Sequence, residues 1–183
     1  MNSFKDFKHT VPLLGSGQKN FKQCWYASYR TMYIYYKQPP DGIDTKLTAK
    51  SIDVADAKAN GLEDKKFFDT GTALGMTMWS GELFKKEPGF FDVGLTDGCE
   101  AFIEELQKGP LWVSRYIEVG TYHIIVATGF KWGASDNGYI IFNNPFPGPN
   151  DALEVSDITA NTFVKHITSA RGSVQAYRDT SKT

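Results

Sequence analysis

Large apolar side chains recur at helical spacing directly after residue 23. A helix that begins at Cys24 would place five of them on one face, namely Trp25, Tyr29, Met32, Tyr33 and Tyr36. This helix is predicted to end near Lys37, because Pro39-Pro40 and the Asp41-Gly42 pair that follows cannot continue it. The first predicted element is therefore an aromatic-rich helix whose first residue is a cysteine.

Two weaker helical patterns follow. Residues 45–60 predict a second helix with Gly61 as its C-terminal cap and apolar positions at Leu47, Ile52, Val54, Ala55 and Ala59. Shorter helical pieces are predicted around Phe67-Phe68 and over residues 73–79, where glycines interrupt the pattern.

A further helix is predicted over residues 97–108. Asp97 followed three residues later by Glu100 resembles a capping box. Cys99 falls on the same apolar stripe as Phe102, Ile103 and Leu106. We therefore expect Cys99 to be a buried core thiol and not a reactive one.

After Gly109-Pro110 the pattern changes to β-branched and aromatic runs that are typical of strands. Strands are predicted over residues 111–117, 122–130, 139–143 and 173–177, the first three as an antiparallel meander. Helices come first and an antiparallel sheet follows, which indicates the α+β class. We expect one domain over residues 1–183, with a helical lobe at about 18–108 and a sheet lobe at about 109–178.

Composition narrows the functional classes. The chain has 183 residues, 41% of them hydrophobic, and a net charge of −1 with both signs interspersed. This gives no electrostatic basis for binding nucleic acid or a membrane surface. Residues 1–23 carry charges throughout and no apolar run approaches a membrane span, so a soluble protein is expected. The two cysteines are interpreted as reduced, and no metal or cofactor is expected.

Candidate chemistry is concentrated around Cys24. At a helix N-terminus, backbone N–H groups and the helix dipole favour a thiolate, so an exposed Cys24 is expected to have a lowered pKa. A cysteine nucleophile also needs a base, and His123 at the start of an apolar strand is the candidate. Asn143 or Asn144, at the end of the next strand, would orient the imidazole. Gln18 and the backbone N–H of Cys24 would bind an oxyanion.

Each of these residues has an ordinary structural explanation when taken alone. A cysteine before a helix is commonly structural, a strand histidine is commonly half-buried, and Asn before Pro is turn chemistry. The order and mutual spacing of the four residues indicate a site.

The same residues resemble the papain-like cysteine peptidases. The run at 18–28 places a glutamine six residues before Cys-Trp at the start of a long helix. The segments at 109–113, 123–126 and 143–145 resemble the compact bacterial branches of that family. These branches include bacteriocin-processing double-glycine peptidases and avirulence-effector peptidases of plant pathogens. The resemblance spans residues 18–146.

This resemblance implies a papain-like fold with a cleft between a helical lobe and a sheet lobe. It implies that Cys24 is the nucleophile, His123 the base and Gln18 the oxyanion residue. In these branches the third member directly precedes a proline, which favours Asn144 over Asn143. The compact branches often have Asp at that position, so the neutral Asn144 is a departure. The Cys-to-His interval, with His123 following 99 positions after Cys24, is also shorter than in papain.

The expected function is a cysteine endopeptidase that acts on a protein substrate. Two alternatives stay open: an amidase or transglutaminase-type acyl transfer on the same fold, and a catalytically dead binding module. Since Cys24 lies near the start of the chain, we expect no inhibitory propeptide before it. We therefore expect a bacterial effector or toxin domain that is exported by a larger delivery system and is active in the target-cell cytoplasm. A cognate inhibitor or immunity protein would then block its cleft. A maturation peptidase for a partner in the same cell is the alternative.

Overall fold

A computed structural model describes residues 4–12, 20–84, 94–118, 121–134, 137–145, 152–168 and 173–176. Its α-helices are α1 (Cys24–Tyr35), α2 (Gly42–Thr48), α3 (Val54–Asn60), α4 (Phe67–Ala73), α5 (Asp97–Gln107) and α6 (Ala160–Thr168). Its strands are β1 (Phe7–Lys8), β2 (Thr77–Ser80), β3 (Leu111–Glu118), β4 (Thr121–Trp132), β5 (Gly138–Pro145), β6 (Ala152–Val155) and β7 (Ser173–Ala176). The predicted α+β class is confirmed.

The described strands form one antiparallel sheet in the order β2-β7-β3-β4-β5-β6. The predicted meander of β3, β4 and β5 is confirmed. The N-terminal strand β1 pairs with β4 beyond the start of β3, with Phe7 opposite Phe130 and Lys8 opposite Gly129. Strand β2 comes from the part of the chain that was expected to be helical, and β1 from the N-terminal segment, for which no element was predicted. Both are too short for their alternation to be visible in the sequence.

The sheet is covered by helices on both faces. One core cluster joins residues of α1–α4 to Trp112, Ile124 and Val126. The other joins residues of α5 and α6 to the alternate strand positions, which include Val113 and Ile125. Because successive strand side chains point to opposite faces, the near-continuous apolar runs of β3 and β4 supply both clusters.

Helix α1 begins and ends where the sequence predicts, and its aromatic side chains attach it to the sheet. Trp112 of β3 stacks on Tyr29, with 5.0 Å between the ring centroids and 17° between the planes. The indole N–H of Trp112 also donates to the carbonyl oxygen of Trp25, at 3.3 Å. Tyr29 is fully buried, whereas Tyr36 at the end of the predicted stripe is half-buried.

The prediction of a single helix over residues 45–60 is wrong. The chain forms α2 and α3 with a turn between them, in which Ser51 has φ +60° and the N–H of Ile52 returns to the carbonyl oxygen of Leu47. Asp53 then caps α3 by accepting from the N–H of Asp56. A polar cap therefore starts a new helix inside one continuous sequence pattern.

The outcome for the positions assigned to that helix is mixed. Leu47, Ile52 and Val54 are buried as expected, whereas Ala55 and Ala59 are exposed. Gly61 caps α3 as predicted, with φ +97°.

Two other local predictions need correction. The helical piece predicted over residues 73–79 is wrong, because α4 ends at Ala73 and β2 follows. The helix α5 is capped by Thr96, whose side chain accepts from the N–H of Cys99, and not by Asp97. The N–H of Glu100, which the predicted capping box would have used, donates instead to the backbone carbonyl oxygen of Thr96 at 2.9 Å. Cys99 itself is fully buried, as predicted.

Candidate active site

Cys24 is the first residue of α1, as predicted. A 3-10 turn (Phe21–Gln23) precedes it, and the Asn20 side chain caps that turn by accepting from the N–H of Lys22 at 2.8 Å. The start of α1 is held against the end of α3. The indole N–H of Trp25 donates to the carbonyl oxygen of Ala57 at 3.2 Å. These hydrogen bonds fix the direction of α1 at the residue that carries the thiol.

The electrostatics of Cys24 differ from the sequence expectation. Its side chain is only 7% exposed, and this burial raises the pKa of the thiol. Backbone hydrogen bonds at Ile124, Trp25 and Cys24 itself, and the charge of Lys22, act in the opposite direction without cancelling the effect of burial. The lowered pKa expected for an exposed thiol at this position is therefore not found, because the helix N-terminus is packed against the sheet.

His123 and Asn144 meet across β4 and β5. Nε2 of His123 donates to Oδ1 of Asn144, which directly precedes Pro145 at the end of β5. Since Nε2 then carries the proton, Nδ1 is the unprotonated nitrogen of the neutral ring. Asn143 is buried, and its Nδ2 has no partner within the described part of the chain. The imidazole is thus held by Asn144 and not by Asn143.

The surroundings of His123 favour the neutral imidazole. Burial lowers the pKa of His123, the hydrogen bond with Asn144 raises it, and the positive charge of Arg115 lowers it further. The net direction is a pKa below the ordinary value.

Ile124 is the strand residue against which the start of α1 packs. It follows His123 directly in β4, lies in the same core cluster as Cys24, and its backbone lowers the pKa of the Cys24 thiol. One helical turn later, Ser28 donates from Oγ to the carbonyl oxygen of Ile124 at 3.3 Å. The first two turns of α1 therefore dock on the strand position next to His123. Of the four residues indicated by the sequence, His123 and Asn144 are in direct contact, and Cys24 packs with Ile124, the residue that follows His123. Gln18 lies outside the described residues.

The other two histidines have different surroundings. His9 donates from Nε2 to the carbonyl oxygen of Leu106 at 2.7 Å, and the Tyr35 hydroxyl lies 3.3 Å from its Nδ1. These bonds hold the N-terminal segment against α1 and α5. His166 lies on α6, and burial together with the charges of Arg115 and Lys165 lowers its pKa.

Sequence reasoning missed two residues next to this site. Ser28 carries a helical signal, because a side chain four residues after Cys24 lies on the same face of α1. The sequence signal for Arg115 is weaker: it is a single charged residue within the apolar run of β3.

Neither a metal site nor a membrane span is evident in the described ranges. Among these residues, no three His, Cys, Asp or Glu side chains come together in a way that could hold a metal ion. None of the described helices is both long and apolar enough to cross a lipid bilayer.

Comparison with known proteins adds one result. A family model described as papain-like cysteine protease AvrRpt2 matches residues 5–165. No curated protein and no solved structure gives a significant match. The matched span includes Cys24, His123 and Asn144, and it runs from the N-terminal segment before β1 into α6.

Proposed function

Because the chain belongs to the papain-like cysteine protease AvrRpt2 family, we propose that it is an endopeptidase whose catalytic residues are Cys24, His123 and Asn144. Family membership confirms the predicted papain-like α+β fold. The chain is accordingly a cysteine protease, a hydrolase that acts on a protein substrate. The roles of individual residues and the biological setting are the proposal.

One observation carries this proposal: the hydrogen bond from His123 to Asn144, next to Ile124, the strand residue that packs in one core cluster with Cys24. A cysteine nucleophile requires a base within reach and a third group that fixes the tautomer of that base. Asn144 fulfils the last requirement by accepting from Nε2, which directs Nδ1 to the acceptor role. An amide can do this without a negative charge, so the departure from Asp is compatible with activity.

In the proposed reaction the resting pair is neutral. Burial raises the pKa of Cys24 and lowers that of His123, so the thiol keeps its proton until substrate is attacked. His123 Nδ1 then takes the proton from Sγ as sulfur attacks the peptide carbonyl carbon. The imidazolium that forms is stabilised by the Asn144 oxygen on Nε2.

The remaining steps follow from the chemistry of acyl transfer. The backbone N–H of Cys24 and the Gln18 amide would stabilise the oxyanion of the tetrahedral intermediate. His123 returns the proton to the leaving amine, and the C–N bond breaks to give a thioester on Cys24. Water, deprotonated by His123, then attacks the thioester carbonyl and releases the carboxylate product and the free thiol.

The test compares two cysteine variants by mapping newly formed N-termini in a treated cell lysate. Cys24→Ala should abolish the new N-termini, whereas Cys99→Ala should retain them at a lower melting temperature. Cys99 is the matched control because it is a buried thiol of α5 outside the proposed site. Cleavage by folded Cys24→Ala would contradict the assignment.

Two further assays of the wild-type protein and the same two variants discriminate proteolysis from the other acyl-transfer reactions. Release of peptide stems from peptidoglycan, or incorporation of an amine donor into protein, without new N-termini would favour an amidase or a transglutaminase. Absence of protease, amidase and transglutaminase activity from the wild-type protein would favour a binding module.

We also infer a role as a bacterial effector or toxin that is active in a target cell. The support is the printed family name, AvrRpt2, together with the sequence resemblance to avirulence-effector peptidases. Because an active peptidase is hazardous to its producer, we propose that an immunity protein or inhibitor blocks the cleft in the producing cell. Cys24→Ala should capture from the producer a protein that inhibits the wild-type enzyme at stoichiometric concentration. Captured proteins that leave the protease fully active would contradict this role.

A further inference from the structure

Arg115 is a half-buried cation without a hydrogen-bonded counter-ion in the described part of the chain. Its Nε and Nη1 atoms are buried, and neither has a hydrogen-bond partner among the described residues. Its guanidinium carbon lies 5.2 Å from the centroid of the Phe142 ring. An unpaired charge in such surroundings costs stability, which makes Arg115 a candidate for a functional role.

The register of the sheet places this charge next to the proposed base. Arg115 of β3 is directly opposite His123 of β4 in the antiparallel pair. Directly opposed residues have Cβ atoms about 5 Å apart and point to the same face of the sheet. Phe142, which lies under the guanidinium, is two residues before Asn144 on β5, so the ring and the orienting amide share that face.

We propose that Arg115 is a positioning residue for His123: its fixed positive charge across the strand pair disfavours a second positive charge on the imidazole. This inference rests on the proposed function, in which His123 must be neutral to accept the Cys24 proton. The lowered pKa of His123, to which Arg115 contributes after burial, is consistent with this role.

The other charged and titratable groups around this pair come from three elements. Cys24 of α1 lies close to the backbone of Ile124, the residue that follows His123, and this backbone lowers the pKa of the thiol. On the Arg115 face, His166 of α6 also has its pKa lowered by burial and by Arg115. Asp157, in the segment before α6, acts on Arg115 at longer range and is exposed, so it screens the charge only in part.

The test is an NMR titration of the histidine side chains in the full chain. Arg115→Met keeps an apolar stem against Phe142 but removes the charge, whereas Arg115→Lys keeps a charge. In Arg115→Met the titration midpoints of His123 and His166 should move to higher pH, while Arg115→Lys should leave them near the wild-type values. His9, which bonds to Leu106 and Tyr35, serves as the internal reference.

Stability is the second readout. Because Nε and Nη1 have no described partner, Arg115→Met should fold with a melting temperature equal to or above that of the wild type. An unfolded Arg115→Met, or an unchanged His123 midpoint in the folded variant, would overturn the inference.

Activity separates this inference from the proposed function. The acid limb of kcat/KM should move to higher pH in Arg115→Met, in step with the His123 midpoint. A shifted midpoint in a protein without protease activity would support the role of Arg115 while the proposed function failed. An acid limb that stays in place while the midpoint moves would exclude His123 as the base through which Arg115 acts.

Discussion

Ser28 donates a hydrogen bond to the backbone of Ile124, one residue beyond His123 and one helical turn beyond Cys24. Cys24 packs in the same core cluster as Ile124, whose backbone lowers the pKa of the thiol. The helix that carries the thiol and the strand that carries the imidazole are therefore joined at one strand position by two successive turns of α1.

Ser28→Ala is expected to lower both stability and activity. The lost hydrogen bond is worth about 1 kcal/mol, and loosening of α1 against Ile124 should reduce kcat/KM by about fivefold. Thr128→Val is the matched control, since it removes a buried hydroxyl that donates to the Ile141 carbonyl oxygen at 3.2 Å. Chemical denaturation should show similar losses for both variants, with reduced activity only for Ser28→Ala. Equal losses of activity would contradict a positioning role for Ser28.

Asn144→Ala should reduce kcat/KM by roughly 10- to 150-fold. This range corresponds to a hydrogen bond to a charged group, about 1.5–3 kcal/mol, because His123 is cationic in the transition state. Asn144→Asp keeps an acceptor on Nε2 and should retain most of the activity. Asn143→Ala, measured at equal folded fraction, should retain more activity than Asn144→Ala. The reverse order would reassign the third residue to Asn143.

The free energy of unfolding should fall as pH decreases below about 6.5. Burial, the largest effect, lowers the pKa values of His123 and His166 in the folded state, whereas an unfolded histidine titrates near 6.5. Between the folded-state and unfolded-state pKa values the unfolded chain binds more protons, so the free energy of unfolding rises with pH in that window. Above the window the contribution of the two histidines is fully present. Urea denaturation at pH 7.5, 6.5 and 5.5 measures the slope. His123→Gln should reduce it, and an unchanged slope would show that His123 is not buried in the neutral form.

Gly129→Ala should detach β1 from the sheet. A Cβ atom at this position would lie 2.4 Å from the carbonyl oxygen of Phe7 and 2.8 Å from Cα of Lys8. Relief of this overlap should cost about 1–3 kcal/mol of stability. Gly42→Ala is the control, because its nearest neighbour would be Pro39 Cγ at 4.0 Å and it lies in α2. That substitution should leave the stability unchanged or raise it by up to about 1 kcal/mol. Equal destabilisation by both variants would contradict close packing of β1.

The parts of the fold that the sequence predicts correctly are those with strong local signals. The helix starting at Cys24 has a long aromatic stripe and a following Pro-Pro stop, and β3, β4 and β5 are long enough for their composition to be decisive. The break at Ser51 and the pairing of β2 with β7 depend on tertiary contacts, which local pattern does not record.

The same distinction applies to the candidate site. Residue types and their order indicate Cys24, His123 and Asn144, because the proposed chemistry requires those groups. The direction of the pKa of Cys24 depends on how tightly α1 packs against β4, and the sequence led to the opposite expectation. The position of Arg115 opposite His123 depends on strand register, which the sequence leaves unspecified.

The placement of β7 between β2 and β3 sets the order in which the sheet can be completed during synthesis. Among the described strands, β2 pairs with β7, which is synthesised after β3, β4 and β5. Residues 77–80 therefore cannot pair with β7 until residues 173–176 have emerged from the ribosome. The β3-β4-β5 meander, in contrast, can form from strands that are neighbours in sequence. Such long-range pairing is slow and leaves an edge open, so a nascent chain is most exposed to aggregation and to chaperones at β2 and β3.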